Sequence, residues 1–431
     1  FVSRHMPEHL RGMLVAKGHE FIPIKSSPSG TSDDLPHAAW LGTSQHADAR
    51  DSLEALSDQT WDWLVVDHYA LDARWESLLR KTVKKVMVID DIADRQHDCD
   101  VLLDQNLYAD MDTRYTGNVP QYCRLLLGPR YALLREEFRQ LRKHVAPRNG
   151  LVKRVLVFFG GVDAGNLTGR TIEVLSKLNR EELCVDVVIG AQHPQREEIE
   201  AACAQWGFVC YVQTSRMAEL MAAADLAIGA GGSTSWERCC LGLPTLAFAM
   251  ANNQRPLLEE ASLRGLLYAP RSQFEIATAV DLHFRTLIDN PRLLQSISLR
   301  GLEAVDGLGV RRVLREIGCG SIVIREATEA DSEKLLMWRN HSSVRAVSRN
   351  ANLIDKTTHE AWLKTVLADP ARVLLVGECQ GKPIGVVRFD MPAEEAEVSV
   401  YLDPDHKNEG FGSELLSAAE HWLVGHHPAV L

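Results

Sequence analysis

The sequence predicts an α/β protein in which two parallel-sheet domains precede a smaller α+β module. Three observations predict it. The chain has 431 residues, which at roughly 150 residues per domain suggests about three domains. Apolar strands alternate with helices over most of the chain, which is typical of parallel sheets covered on both faces. After residue 320 the pattern changes to paired strands with period two. The predicted domains are 1–145, 146–317 and 318–431.

The first domain is predicted from short apolar strands that end in polar or acidic residues. These strands are 1–4, 20–24, 61–67, 85–91, 102–103 and 125–127. The segment 7–17 has helical spacing and is followed by Gly18, a residue that commonly ends helices. A basic, polar stretch at 139–150 is the predicted linker to the second domain.

The second domain repeats the alternation of strand and helix. Its predicted strands are rich in Val, Ile and Leu, and they are 154–159, 185–189, 209–212, 226–229 and 245–248. Its predicted helices are 167–178, 194–205, 216–223, 234–241, 255–264, 273–288 and 291–304. Strands without alternating polar positions indicate a parallel sheet with helices on both faces.

The third domain has a different pattern. Its predicted strands are 322–325, 373–379, 383–389 and 397–402, and its predicted helices are 329–340, 358–367 and 413–424. Gln380-Gly381 separates two strands by a two-residue turn, which indicates an antiparallel hairpin. The module is therefore predicted to be of mixed α+β type.

Composition excludes several classes of protein. Apolar residues are 45% and charged residues 24%, which is ordinary for a globular chain and excludes disorder, collagen and coiled coil. The net charge of −11 argues against nucleic-acid and anionic-membrane partners. No apolar run is long enough to span a bilayer. The nine cysteines lack metal-ligand spacing, which predicts reduced thiols, no metal and a cytoplasmic location.

The strongest chemical signal is the segment 225–237, in which a strand runs into a glycine-rich turn and then a helix. Gly231 and Gly232 permit close approach of a phosphate, and Ser233 and Thr234 are predicted to cap the helix. Glu237 lies one turn further, where a carboxylate can bind a ribose diol. The alternative is a tight strand-to-helix turn with a solvent-facing glutamate.

Two more strand ends carry polar residues that suit a sugar or a phosphate. Asp163 and Asn166 follow the strand 154–159, at the edge where open parallel sheets bind ligands. The alternative is that they cap the next helix. Asn253 and Gln254 follow the strand 245–248 and suit sugar hydroxyls or a uracil edge, with a polar turn as the alternative.

The first domain also has acidic and aromatic residues at strand ends. Asp67, His68 and Tyr69 follow one buried strand, and Asp90 and Asp91 follow the next. Such residues can perform general acid–base chemistry.

Six segments in order resemble the nucleotide-sugar hydrolases of pseudaminic acid biosynthesis, a family similar to glycosyltransferases of the two-domain GT-B type. They are VVDHYALD (65–72), VIDDIADRQHDCDVLLDQN (88–106), LLGPRYALLREEF (126–138), FFGGVDAGN (158–166), GAGGSTSWE (229–237) and LGLPTLAFAMANNQ (241–254). The resemblance implies two Rossmann-like domains. It also implies hydrolysis of UDP-2,4-diacetamido-2,4,6-trideoxy-β-L-altropyranose to UDP and the free sugar.

The resemblance also implies roles for individual residues. The diphosphate would be held by Gly231, Gly232, Ser233 and Thr234, and the ribose by Glu237. Tyr69 and Asn253 would face the sugar. The family opens with a strand and a glycine-rich turn that carries a histidine base. We expect that turn to be missing here, since none of the 16 histidines occupies its position.

A second resemblance lies near the C-terminus. The segment from Lys407 to Gly412 follows a strand and precedes a helix, and it is similar to the acetyl-CoA loop of the GNAT acetyltransferases, with Lys407 in place of the usual Arg or Gln. The resemblance implies that Lys407, Glu409, Gly410, Phe411 and Gly412 bind acetyl-CoA at a helix N-terminus. A generic strand–glycine–helix turn is the alternative. We expect the family's final strands to be missing after Leu431.

Together these patterns predict a UDP-sugar hydrolase fused to an N-acetyltransferase that uses acetyl-CoA. Two alternatives stay open for the first part of the chain. One is a GT-B glycosyltransferase that passes the sugar to an acceptor, and the other is a nucleotide-sugar binding protein without catalytic activity.

Overall fold

The structure of the protein is a computed structural model that describes residues 1–24, 33–178, 182–271, 275–318, 320–391, 397–407 and 410–426. The chain forms two compact units, Phe1–Val313 and Leu314–Leu431. The mixed α/β class is confirmed. The division at 145/146 and 317/318 stays a prediction.

The first part of unit 1 contains two parallel sheets. Its strands are β1 (Val2–Ser3), β2 (Ile22–Pro23), β3 (Trp61–Val66), β4 (Val83–Ile89), β5 (Val101–Asp104) and β6 (Arg124–Leu127). Its helices are α1 (Glu8–Ala16), α2 (Gln45–Ala55), α3 (Ala73–Leu79) and α4 (Glu136–Arg142). Strand β1 pairs with β2, and the larger sheet has the order β3-β4-β5-β6. Strand β5 is buried along its whole length, as expected of a strand covered on both faces.

The second part of unit 1 is a five-stranded parallel sheet. Its strands are β7 (Arg154–Phe158), β8 (Cys184–Ile189), β9 (Val209–Val212), β10 (Leu226–Ala230) and β11 (Thr245–Phe248). Its helices are α5 (Leu167–Ser176), α6 (Arg196–Trp206), α7 (Met217–Ala223), α8 (Thr234–Cys240), α9 (Gln254–Leu263), α10 (Ile276–Ile288), α11 (Pro291–Ala304) and α12 (Gly309–Glu316), the last of which continues into unit 2. The spatial order is β11-β10-β7-β8-β9. The order therefore reverses between β7 and β10, which creates a topological switch point.

Unit 2 is built on one antiparallel sheet. Its strands are β12 (Val323–Glu326), β13 (Arg372–Cys379), β14 (Lys382–Asp390) and β15 (Glu397–Leu402), in that spatial order. Its remaining helices are α13 (Ser332–Asn340), α14 (Ser342–Arg345), α15 (Lys356–Ala368) and α16 (Phe411–His426). Gln380 and Gly381 both have positive φ (53° and 71°), as a tight hairpin turn with matching twist requires. One apolar cluster packs with α13 and α15 and another with α16, so the sheet is buried on both faces.

Two predictions of local structure are wrong. Residues 139–142 of the predicted linker belong to α4. Further along, the Arg148 guanidinium donates to the carbonyl oxygens of Met221, Ala222 and Ala224, so the segment is anchored to the end of α7. The last helix, expected to start at residue 413, begins at Phe411, because the Phe411 side chain is buried in the core beneath it.

Candidate functional site

A cavity of about 660 Å³ lies at the carboxyl ends of β7 and β10, the two strands at the switch point. Two glycine-rich turns form its walls, Gly160–Gly161 after β7 and Gly231–Gly232 after β10. Ligands of open parallel sheets bind in this crevice because the strand order leaves space between the connecting helices. The topology therefore places both predicted turns in one site.

Glycine is required at two positions of the second turn for different reasons. At Gly229 a Cβ atom would overlap the carbonyl oxygen of Phe158 on the neighbouring strand. Gly232 has a φ of 154°, and in the direction of a Cβ its nearest neighbour is the Gln254 Nε2 atom at 3.8 Å. The backbone at Gly232 therefore faces the cavity without a side chain to cover it. The Gly231 N–H donates to the Phe248 carbonyl oxygen at 2.9 Å, so the N–H groups at the start of α8 are the ones that can contact an anion.

Arg238 supplies a positive charge to the wall of this cavity. The residue is only 1% exposed, and burial lowers the pKa of its guanidinium to about 10. The guanidinium donates to the Ala230 carbonyl oxygen at 3.1 Å, and no carboxylate in the described ranges forms an ion pair with it. A buried charge without a counter-ion is costly, so an anionic ligand in the cavity would stabilise it.

The predicted diphosphate residues Gly231, Gly232, Ser233 and Thr234 all line the cavity. Helix α8 begins at Thr234 with Ser233 as its N-cap residue, but the Ser233 side chain makes no capping hydrogen bond. Ser233 thus occupies the predicted N-cap position without a side-chain hydrogen bond to the helix. The Ser235 hydroxyl instead accepts from the Gly232 N–H at 3.4 Å, because it lies on the inner side of the turn.

Asp163 and Asn166 both cap α5. Asp163 accepts from the N–H groups of Leu167 (3.0 Å) and Thr168 (2.8 Å), and Asn166 accepts from that of Gly169 (3.0 Å). Asp163 is buried, and it lines the cavity while Asn166 does not. The structure thus shows both as helix caps. Direct contact of either side chain with a ligand stays a prediction.

The remaining predicted residues of this domain lie at different depths. Gln254 lines the cavity, and its Oε1 atom accepts from the Met250 N–H at 2.8 Å. Asn253 is exposed at the start of α9 and makes no capping hydrogen bond. Glu237 lies outside the cavity lining, 3.6 Å from the Arg135 guanidinium, and burial raises the pKa of its carboxyl group.

A chain of hydrogen bonds connects Tyr69 of the first sheet with helix α8 of the second. The Tyr69 hydroxyl donates to Asp91 Oδ1 at 2.6 Å, and Asn106 Nδ2 donates to Asp91 Oδ2 at 2.7 Å. The indole N–H of Trp236 donates to Asn106 Oδ1 at 3.0 Å. Trp236 is fully buried two residues after the cavity-lining Thr234. The four side chains therefore join the two parts of unit 1.

The electrostatics around Tyr69 are acidic. Desolvation, and next the bond to Asp91, raise the pKa of the Tyr69 phenol, so it is protonated and its proton is committed to Asp91. Asp67 keeps part of its surface open to solvent, but desolvation by surrounding atoms and the Asp91 carboxylate raise its pKa. Burial also raises the pKa of Asp104 to about 6.

The predicted acetyl-CoA turn lies before α16, a helix of 16 residues. Lys407 is exposed, and Gly410 has a φ of 81° with the Arg315 Nη2 atom 4.0 Å from the position of a Cβ. The Phe411 side chain is buried and its ring contacts that of His406. The Phe411 backbone begins α16, and Gly412 follows in the first turn of that helix. Glu409 lies outside the described residues. The turn and the helix N-terminus suit an anionic group such as a pyrophosphate.

Two residues at the site of unit 1, Arg238 and Asn106, are not indicated by the sequence motifs. Arg238 follows Thr234 by four positions, so helical spacing alone places it on the same face of α8 as the turn. Asn106 is two positions beyond β5, at the same sheet edge as Asp91. Its contact with Trp236 joins residues 130 positions apart, which no local pattern indicates.

The described residues contain neither a candidate metal site nor a candidate membrane-spanning helix. No cluster of three or more His, Cys, Asp or Glu residues there is arranged to hold a metal ion. None of the helices described combines the length and apolar character that crossing a bilayer requires.

The fold and the sites define a class of protein. Two consecutive parallel sheets, with a cavity at the switch point of the second, are followed by an antiparallel α+β unit that ends in the helix α16. Residues 336–428 match the model of the acetyltransferase (GNAT) family. The chain is therefore a mixed α/β protein whose residues 336–428 are similar to the GNAT acetyltransferases.

The chain is also homologous to characterised and uncharacterised relatives. It is 25% identical over 193 residues to the UDP-2,4-diacetamido-2,4,6-trideoxy-beta-L-altropyranose hydrolase of Campylobacter jejuni, covering 44% of this chain and 66% of the relative. It is 25% identical over 307 residues to an uncharacterized protein of Methanocaldococcus jannaschii, MJ1062, covering 68% of this chain and 60% of the relative. The chain thus spans less than two thirds of the length of these relatives.

A solved structure resembles the chain over a similar extent. The MurG protein of Acinetobacter baumannii is 14% identical, and the match covers 72% of this chain and 88% of that one with a TM-score of 0.46.

Proposed function

We propose that unit 1 hydrolyses UDP-2,4-diacetamido-2,4,6-trideoxy-β-L-altropyranose to UDP and the free diacetamido sugar. The observation that carries the proposal is the buried Arg238 guanidinium, which lines a cavity between two glycine-rich turns. In the described ranges it forms no direct ion pair, and the charge of the neighbouring Glu237 stabilises it only in part. Its charge favours a ligand with a phosphate group. The homology to the Campylobacter jejuni hydrolase supports a UDP-sugar as that ligand.

The proposed nucleotide site follows from the lining of the cavity. The backbone N–H groups and the hydroxyls of Ser233 and Thr234, at the start of α8, donate to the diphosphate oxygens. Gly231 and Gly232 let the diphosphate approach the backbone closely, because they carry no side chain. The Gln254 amide, which faces Gly232, provides a further donor. Glu237 contacts the ribose diol in this arrangement, with its carboxylate oriented by Arg135.

The proposed sugar site is at the carboxyl edge of the first sheet. Because the Tyr69 proton is committed to Asp91, the phenol oxygen accepts a hydrogen bond from the attacking water or a sugar hydroxyl. Asn253 donates to the other face of the sugar. Asp67, with its raised pKa, accepts the proton that the water loses.

The reaction forms a bond between the water oxygen and the anomeric carbon and breaks the bond from that carbon to the diphosphate oxygen. Negative charge develops on the departing UDP. Arg238 and the amides of the turn are positioned to stabilise it, because fixed dipoles and charges need little reorganisation when the charge appears.

We also propose that unit 2 is an N-acetyltransferase that uses acetyl-CoA. Lys407 and the backbone N–H groups of Gly410, Phe411 and Gly412 would hold the pyrophosphate, because they lie at the N-terminus of the 16-residue helix α16. Bound acetyl-CoA supplies an activated acetyl thioester. The match of residues 336–428 to the model of the GNAT family supports the assignment. An acetyltransferase that makes the diacetamido sugar nucleotide would place two consecutive steps on one chain.

Hydrolysis in ¹⁸O-labelled water tests the proposal for unit 1. We expect one ¹⁸O atom in the free sugar and none in UDP, because water attacks the anomeric carbon. Label in UDP would contradict the proposed bond cleavage. A glycoside formed with an added acceptor, at the expense of the free sugar, would show a glycosyltransferase instead.

A further inference from the structure

Unit 1 contains a pair of cysteines that neither proposed site uses. Cys99 precedes β5 and Cys123 precedes β6, and their Sγ atoms lie 3.5 Å apart. The register of the two strands places Val101 opposite Arg124, and the Arg124 N–H donates to the Asp100 carbonyl oxygen at 2.9 Å. The pairing of neighbouring strands thus brings into contact two thiols that are 24 positions apart in the sequence.

The separation of the two sulfurs suits a disulfide bond. Both cysteines are free thiols in this structure. A disulfide joins Cα atoms about 4.4–6.8 Å apart, and neighbouring strands of a sheet are about 4.8 Å apart. The sulfurs must approach by about 1.5 Å more to reach the length of an S–S bond. Rotation of the side chains and small shifts at the two strand ends provide a movement of this size.

The two thiols differ in their access to solvent. Cys99 is fully buried, whereas Cys123 is partly exposed and lies between the exposed residues Tyr122 and Arg124. A small reagent in solution therefore reaches Cys123 first. Cys99 is accessible only to Cys123, which is the arrangement expected of a thiol that reacts second.

The two thiols also differ in acidity. Deep burial disfavours a charge on Cys99, so its thiol keeps the proton and donates to Cys123 Sγ. This hydrogen bond lowers the pKa of Cys123 and raises the pKa of Cys99. The thiolate is the reactive form of cysteine, so Cys123 is the better nucleophile of the pair.

The segment between the two cysteines gives the pair a structural consequence. It contains Asn106, Tyr108 and Arg114, whose side chains donate to the carboxylate or the carbonyl oxygen of Asp91. A bond between the two thiols would close this segment into a loop at its base. Closing a loop restricts the unfolded chain and so stabilises the folded one.

We propose that Cys99 and Cys123 form a reversible disulfide by exchange with a low-molecular-weight disulfide such as oxidised glutathione, and that this bond stabilises unit 1. The Cys123 thiolate attacks one sulfur of the reagent, which breaks the S–S bond of the reagent, forms a mixed disulfide and releases one glutathione thiolate. Cys99 then loses its proton and attacks Cys123 Sγ, which releases the second glutathione. The chain loses two electrons and two protons, and one oxidised glutathione becomes two molecules of the reduced thiol.

Incubation of the folded full chain with excess oxidised glutathione tests the proposal. The reaction is quenched with acid, remaining thiols are alkylated, and disulfide-linked peptides are identified by mass spectrometry. We expect a bond between Cys99 and Cys123 that disappears when dithiothreitol is added. The variant Cys99→Ala should retain one glutathionyl group on Cys123, because the second step is blocked.

The matched variants are Cys123→Ser, which removes the nucleophile, and Cys184→Ser, which removes an exposed thiol at the start of β8. Cys184→Ser should form the Cys99–Cys123 bond as the wild-type chain does. Oxidation should raise the urea concentration at the midpoint of unfolding. That rise should be larger in the wild-type chain than in Cys123→Ser by roughly 0.5 M.

Recovery of Cys99 and Cys123 as free thiols from the folded, oxidised chain would overturn the proposal. A bond that forms only in urea, or only between two chains, would overturn it as well. So would a disulfide of other cysteines while this pair stays reduced, or equal shifts of the urea midpoint in the wild-type chain and in Cys123→Ser. None of these results depends on UDP release by unit 1 or on acetyl transfer by unit 2.

Discussion

At the scale of single residues, Arg238 contributes in opposite directions to folding and to ligand binding. Replacing a buried, unpaired charge with an apolar side chain of similar volume is often neutral or stabilising. The variant Arg238→Met should therefore unfold at an equal or higher urea concentration. The same variant should bind UDP at least tenfold more weakly by calorimetry, because it loses a charge-assisted hydrogen bond of about 1.5–3 kcal/mol.

The matched control for this change is Arg255→Met. Arg255 is exposed on α9 and does not line the cavity. The control should leave both UDP affinity and unfolding unchanged. Equal losses of UDP affinity in the two variants would show that only the overall charge matters, which would contradict the assigned role of Arg238.

The Tyr69–Asp91 pair is expected to act as a unit in the hydrolase reaction. Removing either partner leaves the other without its hydrogen bond, so Tyr69→Phe and Asp91→Asn should each lower kcat by roughly tenfold or more. The double variant should be no slower than the slower single variant, because one interaction cannot be lost twice. The three kcat values are the measurement, and full additivity would contradict the coupling.

Asp104 should make stability depend on pH. Its pKa is about 6 in the folded chain against an ordinary value of 3.8, so the folded state binds the proton more tightly than the unfolded state. The stabilisation from this proton is present below about pH 4 and is lost as the pH rises through 6. Its size is at most about 3 kcal/mol.

Comparison with Asp104→Asn isolates this effect, since the amide does not titrate. The unfolding free energy of the wild-type chain minus that of the variant should fall as the pH rises from 4 to 7. A difference that stays constant or increases with pH would contradict the raised pKa. Urea unfolding at several pH values provides both quantities.

Residue patterns predicted the glycine turn well and the side chains around it less well. Gly231 and Gly232 were predictable because a strand that runs through glycines into a helix is a local pattern typical of phosphate-binding turns. The functions of Asp163 and Asn166 were ambiguous because the same residue types cap helices and bind sugars. The Asn106–Trp236 bond depends on two distant segments meeting, and a linear pattern carries no information about that.

At the scale of elements, Arg148 fastens the segment before β7 to the end of α7. Its guanidinium donates there to the carbonyl oxygens of Met221, Ala222 and Ala224. It also donates to that of Leu241, at the end of α8. The last carbonyls of a helix lack partners within the helix, so they need donors from elsewhere. Burial lowers the pKa of Arg148, and the carbonyl oxygens compensate for the lost hydration.

We expect Arg148→Met to lower the unfolding free energy by about 2–4 kcal/mol, because several buried carbonyls lose a charged donor. The control Arg264→Met removes the ion pair between Arg264, the C-cap residue of α9, and Glu260 within that helix. It should lower the unfolding free energy by less than about 1 kcal/mol. Urea unfolding of both variants is the measurement. Equal effects would show that the segment is a passive linker, as the sequence suggested.

The elements themselves were predictable because their hydrophobic periods are strong. In the second sheet, for example, β7, β8, β10 and β11 are buried at most positions, while β9 at the edge is not. All five strands fall within one or two residues of their predicted ranges. The first and last residues of the helices and strands were less predictable. Phe411 marks the start of α16 because its side chain reaches the core, a tertiary contact that overrides the local preference.

At the scale of the whole molecule, the protein combines two compact units, and each contains a cavity. Both units use a glycine-rich turn before a helix, at Gly231–Gly232 and at Gly410–Gly412, which is a recurring way to bind an anion with backbone groups. The net charge of −11 does not oppose this, because local N–H groups and buried arginines set the field inside a cavity.

The central claim is that the switch-point cavity of unit 1 binds the diphosphate of a UDP-sugar that the chain then hydrolyses. The most direct test is the steady-state release of UDP from UDP-2,4-diacetamido-2,4,6-trideoxy-β-L-altropyranose in water without another acceptor. We predict release well above the buffer rate for the wild-type chain and for Arg255→Met, and at least tenfold lower kcat/KM for Arg238→Met. No release above buffer by the wild-type chain, or equal rates for all three proteins, would contradict the account.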